Sequence, residues 1–284
     1  MITARRIRRE FADLSHGQMH LRRTGSGDAM PLVLIHQSPG SSKQLEPLMA
    51  ELAVLGRPTL APDTAGNGDS EPLAMAQPEI ADLAATAFEA ITMLIDGPFH
   101  LYGSHTGASI AMEIALAHPG RVTSLTIDGM GLYRAGRQAE VLERYAREIR
   151  PDAEATHLMK VWHFCRDQFL FWPYYNRTAD GRLPDGLPDE ETLHDFVVEV
   201  LKAMRTYHLS YRAAFRHPKR ERLPLLKLPV HVICSTSDML FEYFDEVAGL
   251  VAGARKTRLL AWTDPDHHRH TAAVIERFLK EAER

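Results

Sequence analysis

His105 is the residue whose type and spacing carry most chemistry. It stands in the run Phe99-His100-Leu101-Tyr102-Gly103-Ser104-His105-Thr106-Gly107, an apolar strand-like stretch that passes directly into G-x-H-x-G. A helical stretch rich in small and apolar residues follows, with Ala108, Ile110, Ala111, Ile114 and Ala115. Glycine on either side of one residue suits a sharp, strained strand-to-helix turn, where backbones crowd and a Cβ would clash. An imidazole at its apex, with an ordinary pKa of about 6.5, can serve near neutral pH as a general base or as a nucleophile through an acyl-imidazole. It cannot form an acyl-serine ester.

Further groups with chemical potential lie at regular places along the chain. His36-Gln37-Ser38-Pro39-Gly40 follows the apolar run Leu32-Val33-Leu34-Ile35, and Asp63-Thr64-Ala65-Gly66-Asn67-Gly68-Asp69-Ser70 follows Pro58 to Pro62. Asp128 stands after one late strand pattern and Asp238 after the next, and His267, His268 and His270 cluster beyond the last.

In this order the motifs resemble the α/β-hydrolase fold superfamily, in its capped esterase, C–C hydrolase and haloalkane dehalogenase-like branch, over essentially the whole chain. The resemblance makes Gly103–Gly107 a nucleophile elbow with His105 where serine, aspartate or cysteine is expected. It makes the 36–40 segment similar to the family's His-Gly-x-Pro loop, with Gln37 in place of the glycine. The oxyanion donors it implies are the amide of Gln37 or Ser38 and that of Thr106. Asp238 matches the family acid, with Asp128 as the alternative position. His267 or His268 matches the family base, giving a His-Asp-His triad with His105. His270 fits less well, being closer to the final helix. Ser104 beside the apex is a poor nucleophile, since that position points into the fold.

The elements that must position these groups alternate strand and helix, which favours a sheet covered by helices on both faces. We expect an α/β chain: a mostly parallel, eight-stranded sheet in the α/β-hydrolase fold with a helical insertion before the last two strands. The hairpin-like start spans Phe11 to Arg23 and ends at Gly25-Ser26-Gly27. Helices are expected at 80–95 and, at the end, at 271–281, with late strands at 230–234 and 257–262. The core would comprise 1–132 and 223–284, and 133–222 would form a helical cap. That insertion carries Trp162, Phe164, Phe169, Phe171, Trp172, Tyr174 and Tyr175. Most of these rings are expected to pack the cap. Trp162, Phe169 and Trp172, with His36 and Ser104, are the candidates to line a pocket for an apolar or aromatic substrate.

Composition narrows the partners. The 284 residues carry 33 Lys and Arg against 37 Asp and Glu, a formal net charge of -4, with no block resembling a nucleic-acid arm. Arg5, Arg6, Arg8 and Arg9 are expected to decorate a solvated first strand. Two cysteines, Cys165 and Cys234, supply no disulfide framework, and no run is apolar and long enough to span a bilayer. The expectation is a cytoplasmic monomer or homodimer acting on a small molecule, without nucleic acid or membrane. Gly103 and Gly107 lack the dinucleotide spacing, and no organic cofactor is expected. A metal site from His105, a late histidine and His36 or Asp238 has suitable ligand types but no local ligand spacing, so no metal is expected.

The function these residues predict is hydrolysis of an ester, lactone or C–C bond in a small apolar or aromatic substrate. Two alternatives stay open: cofactor-independent lyase, isomerase or oxygenase chemistry with a histidine base, and a non-catalytic ligand-binding member of the fold.

Overall fold

The apolar runs become the strands of one sheet: β1 (Arg8–Leu14), β2 (Gly17–Thr24), β3 (Leu32–Ile35), β4 (Thr59–Pro62), β5 (Phe99–Ser104), β6 (Val122–Asp128), β7 (Val230–Ser235) and β8 (Arg255–Leu259). The computed structural model describes residues 6–25 and 27–284. Arg5 of the basic run and Ser26 of the first turn lie outside the described residues. The strand order is β1-β2-β4-β3-β5-β6-β7-β8. β1 and β2 form an antiparallel hairpin, β2 joins β4 antiparallel, and every later pairing is parallel. Arg6, Arg8 and Arg9 are exposed at the start of this hairpin, as expected of a solvated first strand.

Every residue of β3, β4, β5 and β7 is buried, as central strands covered on both faces require. Each fully buried Val, Leu or Ile side chain there is worth about 1.5–3 kcal/mol of transfer from water. The covering helices are α1 (Glu46–Val54), α2 (Ile80–Leu94), α3 (Thr106–Ala117), α4 (Ala135–Arg144), α5 (Thr156–Leu170), α6 (Glu190–Ala203), α7 (Tyr207–Arg216), α8 (Lys219–Arg222), α9 (Phe244–Leu250) and α10 (His267–Ala282). Helix α2 starts with a reciprocal capping box between Glu79 and Asp82. Helix α10 is fastened by Arg57, 2% exposed, which donates to both carboxylate oxygens of Glu276 at 2.8 and 3.0 Å and to Glu283 at 2.6 Å.

Two boundaries differ from the sequence reading. β8 begins at Arg255 and ends at Leu259, and α10 begins at His267 rather than near Thr271. His267 and His268 therefore belong to the first helical turn and not to a loop.

Helices α4 to α8 form the segment between β6 and β7. It meets the loops at the carboxyl ends of the strands: Ser210 Oγ bonds Ser38 Oγ at 2.9 Å, Lys202 pairs with Asp69 at 3.1 Å, and Thr206 donates to the Gly66 carbonyl. Its interior is aromatic, with Tyr145 at the hub and the rings of Trp172, Tyr174, Tyr175, Tyr211 and Phe215 around it at 5.1–6.3 Å. None of the described helices is long and apolar enough to cross a membrane.

Candidate active site

The 103–107 turn has the backbone its glycines anticipate. His105 sits at φ 49°, ψ −106°, between the last residue of β5 and the first of α3, one of two described non-glycine residues with positive φ. Such a conformation costs of order 1–3 kcal/mol and persists only where the surroundings enforce it. They do: the His105 amide donates to the carbonyls of Asp128 and Gly129, each at 3.1 Å. A Cβ on Gly103 would lie 2.3 Å from the Gly107 carbonyl oxygen. One on Gly107 would lie 2.2 Å from that of Ile35 and 2.5 Å from that of His36. The turn is thus pressed against the end of β3, and only glycine permits it.

The turn aims the imidazole at the loop beyond β7. His105 Nε2 bonds Asp238 Oδ2 at 2.7 Å, while Asp238 Oδ1 accepts the Leu240 amide at 2.7 Å. The Asp238 side chain is almost wholly buried, and that of His105 is 19% exposed. Nδ1 of His105 has no hydrogen-bond partner among the described residues. With Nε2–H donated to the carboxylate, Nδ1 is left as the basic lone pair of the ring. Burial opposes charge on this imidazole, but the field and hydrogen bond of Asp238, with Asp128 behind, outweigh it and raise its proton affinity above the ordinary value.

The late histidines take no part in this pair, which corrects the expected His-Asp-His arrangement. His267 Nδ1 bonds the Leu260 carbonyl at 3.0 Å, under the Trp262 ring at 4.7 Å. His268 packs edge-on against His267 at 5.1 Å. Burial lowers the proton affinity of both, His268 to about 4. His105 takes Asp238 Oδ2, and the helix start holds His267 Nδ1 on the Leu260 carbonyl.

Two residues that the sequence reading left unused complete the surroundings. Tyr102 donates its hydroxyl to Asp128 Oδ2 at 2.6 Å, from two residues back on the neighbouring strand. The alternation of side chains along paired strands was the available signal, since Ser104 pairs with Asp128 and Tyr102 shares its face. Gly129, at φ +64°, lies under the ring: a Cβ there would come within 2.8 Å of His105 Cδ2 and 2.9 Å of Nε2. The Asp-Gly pair after β6 was the sign of such a turn.

His36 does not line the site. It is 1% exposed, its Nδ1–H donates to the Gln37 carbonyl at 2.8 Å, and Nε2 accepts the Thr64 amide at 2.9 Å. It ties the loop after β3 to the loop after β4, and burial keeps it neutral by lowering its proton affinity. Asp63 anchors the same region through Ser42, Asp69 and His20. Burial disfavours its charge, but these bonds outweigh that and hold its carboxyl below the usual range. His20, Asp63 and Asp69 bring ligand-type atoms within 4.8 Å of one another, but both Asp63 oxygens already accept hydrogen bonds from protein. Ser104 is 5% exposed; its hydroxyl lies 3.5 Å from Gln37 Oε1 and also within reach of the Tyr102 hydroxyl. The amides of Gln37, Ser38 and Thr106 have no acceptor among the described residues.

The three rings proposed from sequence as pocket lining have their neighbours within the helical segment or face solvent. Trp162 is 37% exposed on α5, Phe169 packs on Phe196 at 5.5 Å, and Trp172 lies between Tyr145 and Arg137. A helical aromatic run does not reveal which face a pocket takes. Tyr133 packs on Phe215 and Tyr243 at 5.7 Å each and lies within the field of Asp238. Its phenol proton is held tightly by burial first, then by neighbouring tyrosines and the charge of Asp238.

Comparison with known proteins agrees with this architecture. A stretch of 134 residues is 35% identical to 2-hydroxy-6-oxononadienedioate/2-hydroxy-6-oxononatrienedioate hydrolase 2 of Pseudomonas putida, covering 44% of each chain. Another of 129 residues is 26% identical to the proline iminopeptidase of Neisseria gonorrhoeae, covering 43% of this chain and 39% of that one. The match thus spans less than half the length of either relative. Among solved structures, epoxide hydrolase A of Mycobacterium thermoresistibile superposes with a TM-score of 0.73 at 19% identity, over 97% of this chain and 98% of that one. The alpha/beta hydrolase fold family matches residues 30–257, most of the sheet and the whole 103–107 turn, and the chain belongs to that family.

Proposed function

We propose that this protein is a hydrolase in which the His105–Asp238 pair acts as general base to add water to a carbonyl group. The observation that carries the reading is the 2.7 Å bond from Nε2 to a buried carboxylate with Nδ1 unbonded on a partly exposed ring. That is the base-and-acid half of a Ser-His-Asp triad, moved onto the turn where the serine would stand. Water attacks the carbonyl carbon as Nδ1 takes its proton, and Asp238 stabilises the imidazolium. The oxyanion would fall to the Gln37 or Ser38 amide and that of Thr106. As the tetrahedral adduct collapses, Nδ1–H returns the proton to the departing alkoxide or carbanion, leaving a carboxylic acid and the protonated leaving group.

The substrate class is a small ester, lactone or C–C-cleavable ketone with an apolar or aromatic body. The Pseudomonas relative named as an oxononadienedioate hydrolase supports an activated ketone or ester. Residues 133–222 would serve as the cap, with Tyr133, Phe215 and Tyr243 as the apolar wall toward Asp238. A second reading, proton abstraction without hydrolysis, draws on the same feature: a base occupies the apex and no alcohol nucleophile does. Turnover of p-nitrophenyl acetate and of a small aromatic lactone in water enriched in oxygen-18 tests the choice. Label in the acid product that is lost in His105→Ala supports hydrolysis by this base. Substrate isomerised or cleaved without label supports the second reading.

A further inference from the structure

The His105–Asp238 pair is backed by a second carboxyl that the proposed reaction does not use. Asp128 ends β6 and is 3% exposed. Its Oδ2 accepts the Tyr102 hydroxyl at 2.6 Å, while its Oδ1 is buried with no partner. Its backbone carbonyl simultaneously holds the His105 amide at 3.1 Å, so it is fixed to the turn. A charged carboxylate with one oxygen desolvated and unbonded is costly, and a second carboxylate, Asp238, shares the same enclosure. A negative charge on Asp128 beside that carboxylate is favoured chiefly when the imidazole between them is protonated.

We propose that Asp128, held by Tyr102, is a positioning residue that sets the proton affinity of His105, ionising readily only when the imidazole is protonated. The groups that face it are Tyr102 from β5, His105 from the turn, Cys234 from β7 and Asp238 from the loop beyond. Burial pushes the Tyr102 phenol and the Cys234 thiol far up, so both stay neutral. Burial likewise pushes the Asp128 carboxyl up to about 7, with Tyr102 and His105 pulling it down and Asp238 pushing it further. His105 and Asp128 therefore titrate in the same range, each state of one favouring the opposite charge on the other. Above the Asp128 transition the imidazolium gains an anionic neighbour and releases its proton later.

The inference deepens the proposed base role of His105, but its test needs no turnover. The imidazole is followed by NMR on protein labelled at histidine, against pH, in the wild type, Asp128→Asn and Tyr102→Phe. In the wild type the His105 curve is expected to be broader than a one-proton transition. In Asp128→Asn it becomes a single transition with its midpoint lower by about half a unit or more. Tyr102→Phe, which removes the hydroxyl that steadies the anion, lowers the midpoint too, and adding it to Asp128→Asn changes nothing more. Should Asp128→Asn not fold, carbon-13 in the aspartate carboxyls of the wild type reads Asp128 directly. A carboxyl that ionises below about pH 5, in the ordinary range, overturns the proposal. So does a His105 curve in folded Asp128→Asn that overlays the wild type. Failure of ester hydrolysis alone leaves these curves unaffected and counts only against the hydrolase reading.

Discussion

At the level of single residues, the proposed chemistry depends on one imidazole with two different nitrogens. Nε2 is committed to Asp238, Nδ1 is the nitrogen left for the proposed base role, and the proton affinity of the ring is raised. The acid limb of kcat/KM is accordingly expected above the ordinary histidine value of about 6.5, and a pH–rate profile with its limb at or below that value contradicts the assignment. Asp238→Asn should lower kcat by about 10⁴ while leaving the fold intact, the order of loss seen when a triad acid is made neutral. His105→Ser should be as inactive as His105→Ala, because neither His267 nor His268 is bonded to Asp238 to serve a new alcohol. An active serine variant would mean that a late histidine does reach the site. His105 and Asp238 were legible in the sequence because glycines and a strand end mark their places. His267 and His268 were not, because polar residues in a first helical turn carry no apolar periodicity, and α10 starts five residues before Ala272, the first of its buried apolar residues.

At the scale of elements, the turn works because β5, α3 and the end of β3 are in contact without side chains between them. Gly107→Ala would set a methyl 2.2 Å from the Ile35 carbonyl, which only a shift of α3 relieves. The expected cost is about 1–3 kcal/mol or more, read as a lower denaturant midpoint, together with loss of the His105–Asp238 bond. Helix α10 depends instead on charge. Arg57→Met leaves the buried Glu276 with only the exposed Lys280 at 3.3 Å and should cost about 3 kcal/mol in thermal or urea unfolding. The glycines could be read from the sequence because the spacing of the turn demands them. The Arg57–Glu276 link joins residues 219 positions apart, and no local pattern announces it.

At the scale of the molecule, a sheet covered by helices and a helical stretch before the last two strands followed from the rhythm of apolar runs, but the strand order and the inward face of that stretch did not. Trp162 shows why: its type suggested a pocket wall, and the packing of α5 leaves it toward solvent. Trp162→Ala should change stability by only about 0.5 kcal/mol and leave kcat/KM unchanged. Global stability should also carry the mark of Asp128. Its folded proton affinity lies above the unfolded one, so the folded state holds an extra proton between about pH 4 and 7, and stability falls across that window as pH rises. Asp128→Asn should flatten that slope in urea titrations, and an unaltered slope would speak against a neutral buried acid. The central claim, that a histidine replaces the alcohol of the turn as the working base, is tested most directly by kcat/KM for p-nitrophenyl acetate in the wild type and in folded His105→Ala. Wild-type turnover is expected to fall by several orders of magnitude in the variant; equal turnover in the two proteins would show that His105 is not the base.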